Sequence, residues 1–178
     1  MYKFLSVFRP ERGLRSDKPG AVVITPGAMG ILRECPLFRS LNEIELSEIA
    51  ALCHEESYEA QQTIFTQGES AERFYVISEG TVALIRSANI GDAVIPVRIT
   101  TELVKSGEIC GWSALFSSHV YTASAICQTP TRVIAIAGPR LRPILAQFSS
   151  LSYKVTRNLA EVLASRIAQA YQAMEYRL

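Results

Sequence analysis

The fold is decided by the stretch Ile64-Phe-Thr-Gln-Gly-Glu-Ser-Ala-Glu-Arg-Phe-Tyr-Val-Ile-Ser-Glu-Gly80. Two short runs of β-branched and aromatic residues lie in it, Thr63–Phe65 at its start and Phe74–Ile77. Gly68 and Gly80 stand after them, where strands turn. Such runs favour extended backbone because their side chains pack well on a pleated surface. The same rhythm continues outward. Tyr58 comes before it, and Thr81–Ile85, Val94–Ile99 and Val133–Ile136 come after, with Gly91 and Gly107 between them. Within Thr81–Ile85 the partial alternation lets Val82 and Leu84 face inward together. Many short strands separated by glycine turns predict a sandwich or rolled barrel, not alternating strands and helices. No glycine-rich phosphate loop follows a strand and opens a long helix, so a dinucleotide-binding or P-loop reading fails.

Helices flank this β region. Asn42 with Glu45 three residues on is an N-cap signal, and Leu46, Ile49, Ala50, Leu52 and Cys53 form an apolar helical face. Pro139 suits the first turn of a short helix carrying Leu141, Ile144 and Leu145, whose regularity Pro143 limits. Then Leu151, Val155, Leu159, Val162 with Leu163, Ile167, Ala170 and Met174 step by three or four, giving an amphipathic helix of about five to six turns. Lys154, Arg157, Glu161 and Arg166 lie off that stripe. The stripe can pack on its own domain or pair with a second copy. Because this helix is much longer than its neighbours, we expect a homodimer seam at Val155, Leu159, Leu163 and Ile167. The expected class is mainly β with flanking helices: a jelly-roll β-roll, or double-stranded β-helix, with a long C-terminal helix. The chain divides into an irregular arm over 1–30, containing Pro10, Pro19, Pro26 and Gly30, then the β-roll with its N-terminal helices over 31–145, and the C-terminal helix over 146–178.

Composition bounds the function. The chain has 178 residues, 48% hydrophobic and 20% charged, with a net charge of +1. This suits one soluble domain with a real core and excludes a disordered tail, a collagen-like fibre and a disulfide scaffold. Residues 33–79 carry ten acidic and three basic residues, a stretch that repels a phosphate backbone. Residues 1–20 carry five basic and two acidic residues, read as a solvated terminus. Neither nucleic acid nor a membrane is an expected partner. No apolar run is long enough to span a bilayer and no leader pattern opens the chain, so the expected location is the cytoplasm. Cys35, Cys53, Cys110 and Cys127 form no CxxC pair and read as buried thiols in a reducing compartment. His54 and His119 are too isolated to gather a metal and are expected at the surface or at helix ends. No GxSxG, HExxH or HxE with PCxxC pattern is present, so neither a catalytic residue nor a cofactor is assigned.

The order of these elements resembles the cyclic nucleotide-binding domain of the CRP/FNR superfamily and of protein kinase A regulatory subunits. The resemblance spans about residues 35–175. It rests on Pro36-Leu-Phe38 and Leu41, on Ile64–Glu69, on Phe74–Ile77 with Glu79-Gly80, and on Leu103, Gly107, Gly111, Ala114-Leu115, Thr122–Ala125 and Val133–Ile136. It implies a regulatory or sensor domain, not an enzyme, with a ligand pocket at Gly111, Trp112, Ser113, Ala114, Leu115, Tyr121 and Thr122. Members that bind cyclic nucleotide carry a ribose-binding Glu and a phosphate-binding Arg in this cassette. Trp112 stands at the Glu position and Tyr121 is the nearest match to the Arg. Two readings follow for these rings, a remodelled pocket or simple packing. Ser113 and Thr122 either donate to an anion or close the turn. High-affinity cAMP binding is not expected. A small anionic or nucleotide ligand, a second copy of the chain and a protein partner are the interactions left open. The resemblance also implies a hinge at about 138–150 that re-angles the last helix. The resembled transcription factors carry a helix-turn-helix after that helix; none is expected within these residues, so the chain is expected to be either a free-standing regulatory module or a part of something longer.

Overall fold

The computed structural model describes residues 24–90, 93–116 and 120–175. Two four-stranded antiparallel sheets face each other, in the orders β1-β8-β3-β6 and β2-β7-β4-β5. Their strands are β1 Cys53–Tyr58, β2 Thr63–Phe65, β3 Arg73–Glu79, β4 Thr81–Ile90, β5 Ala93–Lys105, β6 Ile109–Cys110, β7 Ser124–Cys127 and β8 Thr131–Ala137. This is the expected jelly-roll class. Val82 and Leu84 do point into the core, and Ala83 is buried with them. Gly80 turns β3 into β4 at φ +92°, and a Cβ there would lie 2.5 Å from the Pro130 carbonyl oxygen. Only glycine fits that turn.

The helices are α1 Pro26–Glu34, α2 Glu43–Ala50, α3 Gly138–Gln147 and α4 Ser149–Glu175. α1 begins inside the stretch read as an arm. The Thr25 hydroxyl accepts from the Ala28 N–H, Pro26 sits in the first turn, and Ala28 and Leu32 are buried. Here a cap and a buried face outweigh three turn-forming residues, Pro26, Gly27 and Gly30. The arm assignment for 1–23 lies outside the described residues. α2 has the full capping box at Asn42 and Glu45. It stops at Ala50, so Cys53 opens a strand and does not close the helix.

Helices and sheets share one core. Phe38, from the turn between α1 and α2, packs on Phe74 of β3 with ring centroids 6.4 Å apart. On the other face of that strand Tyr75 stacks on Phe65 of the opposite sheet, as the two-residue strand period requires. α4 is 27 residues long and lies within the expected 146–178, with more turns than the five to six expected. Leu151, Val155 and Leu159 are 3%, 2% and 4% exposed. Val155 and Leu159, expected in a dimer seam, are therefore taken up by the chain's own core. Leu163 is half-buried, while Ile167 and Tyr171 are 56% and 64% exposed. No helix among the described residues is long and apolar enough to cross a membrane.

Candidate functional site

β6 is flanked by two glycines in left-handed conformation, Gly107 at φ +84° and Gly111 at φ +74°. A Cβ on Gly111 would sit 3.2 Å from the Arg73 carbonyl oxygen, 3.2 Å from the Phe65 ring and 3.3 Å from the Tyr121 ring. The backbone then closes into a single 3-10 turn, Trp112–Leu115, whose Ser113 and Ala114 are buried. The turn thus begins where three groups already converge.

Tyr121 fills that convergence. Its ring stacks on Phe65 with centroids 4.0 Å apart and planes 16° apart, and Phe65 stacks in turn on Tyr75 at 5.7 Å. The Tyr121 hydroxyl donates to the Arg73 carbonyl at 2.6 Å and accepts from the Arg73 N–H at 3.3 Å. Burial pushes the phenol up to about 12, against the lowering effect of its bond to Arg73. It is a neutral group at physiological pH. Trp112 is half-buried and meets Phe116 edge-on at 6.0 Å.

The space left among Phe65, Leu84, Trp112, Ser113, Tyr121 and Thr122 is about 30 Å³. One water molecule occupies about 30 Å³ of the liquid. Gly111 and Ala123 also line this space, and no Lys or Arg does so among the described residues. The structure therefore brings Gly111, Trp112, Ser113, Tyr121 and Thr122 together as expected. Ala114 and Leu115 instead turn away, toward α3 and the core.

Two arginines hold the cassette from the C-terminal helices. Arg142 of α3 donates to the Ala114 carbonyl at 2.6 Å. Arg166 of α4 donates to the Ile109 carbonyl at 2.5 Å. Gly138 lets α3 approach closely, since a Cβ there would lie 2.5 Å from the Ala114 oxygen. α4 is tied to the body at further points. Lys154 reaches both Glu45 oxygens at 2.9 and 2.8 Å, and Arg39 pairs with Glu161. Lys154, Glu161 and Arg166, which lie off the apolar stripe, thus hold α4 to the body. Nothing in the local pattern separates such residues from solvated ones, because their partners lie 57 to 122 residues away.

A second polar group lies on the inner face of the β1-β8-β3-β6 sheet. Glu56 accepts from His54 at 2.6 Å, from Arg73 at 2.7 Å and from the Tyr58 hydroxyl at 2.5 Å. Burial works to raise the Glu56 pKa, but the donors His54 and Tyr58 outweigh it and hold the carboxyl below its usual range. His54 is thus a strand residue bonded to a carboxylate, not a helix-end or surface side chain. The expectation failed because β1 starts at Cys53, so His54 alternates inward. His119 lies outside the described residues. Among the described residues no group of three or more His, Cys, Asp or Glu side chains is placed to hold a metal.

The sequence model of the cyclic nucleotide-binding domain family matches residues 55–148. The cGMP-dependent protein kinase egl-4 of Caenorhabditis elegans is 25% identical over 138 residues, which is 76% of this chain and 17% of the kinase. The chain thus spans about a sixth of that relative's length. A solved protein of Geobacter metallireducens is 28% identical with a TM-score of 0.66, covering 81% of this chain and 98% of that one. The N-terminal domain of a transcriptional regulator from Streptomyces coelicolor is 27% identical with a TM-score of 0.60, covering 76% and 93%.

Proposed function

The chain belongs to the cyclic nucleotide-binding domain family, and from that premise we propose that it is a non-enzymatic regulatory module whose cassette does not bind cAMP or cGMP tightly. One observation carries this reading: Tyr121 occupies the centre of the cassette, stacked on Phe65 and hydrogen-bonded to Arg73, leaving about 30 Å³. A cyclic phosphate brings a full negative charge. A buried anion needs a paired cation or several donors to offset lost hydration. A neutral phenol already bonded to a carbonyl offers neither.

The module would act through its helices. Arg142 and Arg166 grip the carbonyls on either side of Gly111, so the cassette and the two C-terminal helices move as a coupled set. Phe148, extended at φ −111° and ψ 91°, separates α3 from α4 and is the natural hinge. The distal part of α4 would then be the output surface. Its exposed Ile167 and Tyr171, with half-buried Leu163, suit pairing with a second copy of the chain, while a protein partner on the same face is the other arrangement. Cytoplasmic placement is part of this reading, supported by four buried cysteines that form no disulfide.

Calorimetry with cAMP and cGMP tests it. The expected result is no binding tighter than about 1 mM. Micromolar affinity for either nucleotide would overturn the reading.

A further inference from the structure

A larger cavity than the one at the cassette lies elsewhere. It is a groove of about 260 Å³ between α4, the turn at Pro36–Arg39 and the edge strand β6. Its size falls just below the roughly 300–1,000 Å³ of typical small-molecule sites. Leu37 and Ile109 form a buried apolar floor and Val162 an adjoining wall.

Asn158 of α4 also lines the groove and is only 4% exposed. Its Nδ2 donates to the Leu37 carbonyl at 2.9 Å and to the Ser40 hydroxyl at 2.8 Å, which uses both of its N–H groups. The amide orientation is fixed, because the Leu37 carbonyl can only accept. Among the described residues no donor reaches the Asn158 Oδ1. That oxygen is not shut off from solvent, so it opens onto the groove as an acceptor that water or a ligand can reach.

The charges around the groove cancel. Arg39 pairs with Glu161. Arg166 reaches the Ile109 carbonyl, and Glu108 accepts from the Lys105 N–H at 2.7 Å. Either sign of ligand charge would meet its like. We propose that this groove binds an uncharged small molecule that donates a hydrogen bond to Asn158 and lays an apolar face on Leu37, Ile109 and Val162. Such a molecule would bridge α4 and the β-roll directly, supplying an input to the helix that bypasses the cassette. The site stands whether or not cyclic nucleotide binds at Gly111–Thr122.

The test is an amide chemical-shift titration of the full chain with matched probes. Benzamide and indole donate a hydrogen bond, while methyl benzoate and 1-methylindole keep the shape without the donor. Shifts are expected at Leu37, Ile109, Val162 and Ser165, with the donor probes binding about tenfold more tightly than their partners. Ser165→Phe should fill the groove from the exposed side and abolish binding, with melting unchanged within about 2 °C. Gln169→Trp serves the same purpose if Ser165→Phe misfolds. Three results would each overturn the proposal: no shifts at these residues with about 10 mM of either donor probe, equal affinity within the matched pairs, or binding that survives the filled groove.

Discussion

The Tyr121 hydroxyl donates to the Arg73 carbonyl oxygen at 2.6 Å, joining the cassette to the first residue of β3. A ring from the segment that leads into β7 is thereby held by a backbone group of the opposite sheet. Tyr121→Phe keeps the stack on Phe65 but leaves that carbonyl without its buried donor. We expect a loss of about 1–2 kcal/mol in urea unfolding. A change below experimental error would mean that water replaces the phenol there.

The missing charges can be put back. The double variant Trp112→Glu with Tyr121→Arg restores both family anchors and removes the ring that fills the site. Calorimetry should then detect cAMP binding at least about tenfold tighter than wild type. If the double variant folds and binds no better, occupation by Tyr121 is not what closes the pocket.

Glu56 predicts an acid limb in stability. Its folded pKa is depressed, so it contributes stability above the unfolded carboxylate range near pH 4.3 and loses it as pH falls through the lower folded value. Below both values the contribution is gone. Glu56→Gln should be less stable at pH 7 and show a flatter fall in stability below about pH 5 than wild type. Parallel curves for the two proteins would remove Glu56 from the account.

The arginine grip on the cassette is read by amide exchange. Arg166→Ala should cost about 1.5–3 kcal/mol locally, as expected for a hydrogen bond to a charged donor. Faster exchange is expected both in α4 beyond residue 160 and around Ile109. Faster exchange in the helix alone would show that the two are not coupled.

The two halves of the α4 stripe should behave differently. Leu159→Asp places a charge in the core and should prevent folding. Ile167→Glu with Tyr171→Glu alters only exposed positions. It should leave the melting temperature within about 2 °C while converting a dimer to a monomer in sedimentation. A wild-type protein that sediments as a monomer would refute the pairing.

Features set by neighbours along the chain are legible in the residues themselves. The Asn42–Glu45 capping box, the tight turn at Gly80 and the strand at Phe74–Ile77 each rest on residues within a few positions of one another. The start of α1 is harder to read, because Gly27 and Gly30 are turn formers and the Thr25 cap with Pro26 gains a helix only once Ala28 and Leu32 are buried. The location of the cassette is legible only through the family resemblance, and so is its lack of the Glu and Arg that the resemblance implies. Whether Trp112 or Tyr121 fills it is not. That outcome depends on Phe65 and Arg73, which lie 56 and 48 residues before Tyr121. Arg142, Arg166 and the His54–Glu56–Arg73 group are hidden for the same reason: a charged side chain carries no local mark of whether it meets water or a distant carbonyl.

The four thiols have a practical consequence. Burial raises Cys35 to about 11 and Cys53 to about 12. At pH 8 only on the order of one Cys35 in a thousand would be thiolate, the form that reacts with electrophiles. An alkylating reagent added to the folded domain should therefore find little to modify, and each labelled cysteine would mark a moment when the structure around it had opened, α1 for Cys35 and the strands for Cys53, Cys110 and Cys127. The domain thus carries its own stopwatch for unfolding, readable by mass spectrometry from the cysteines it already holds.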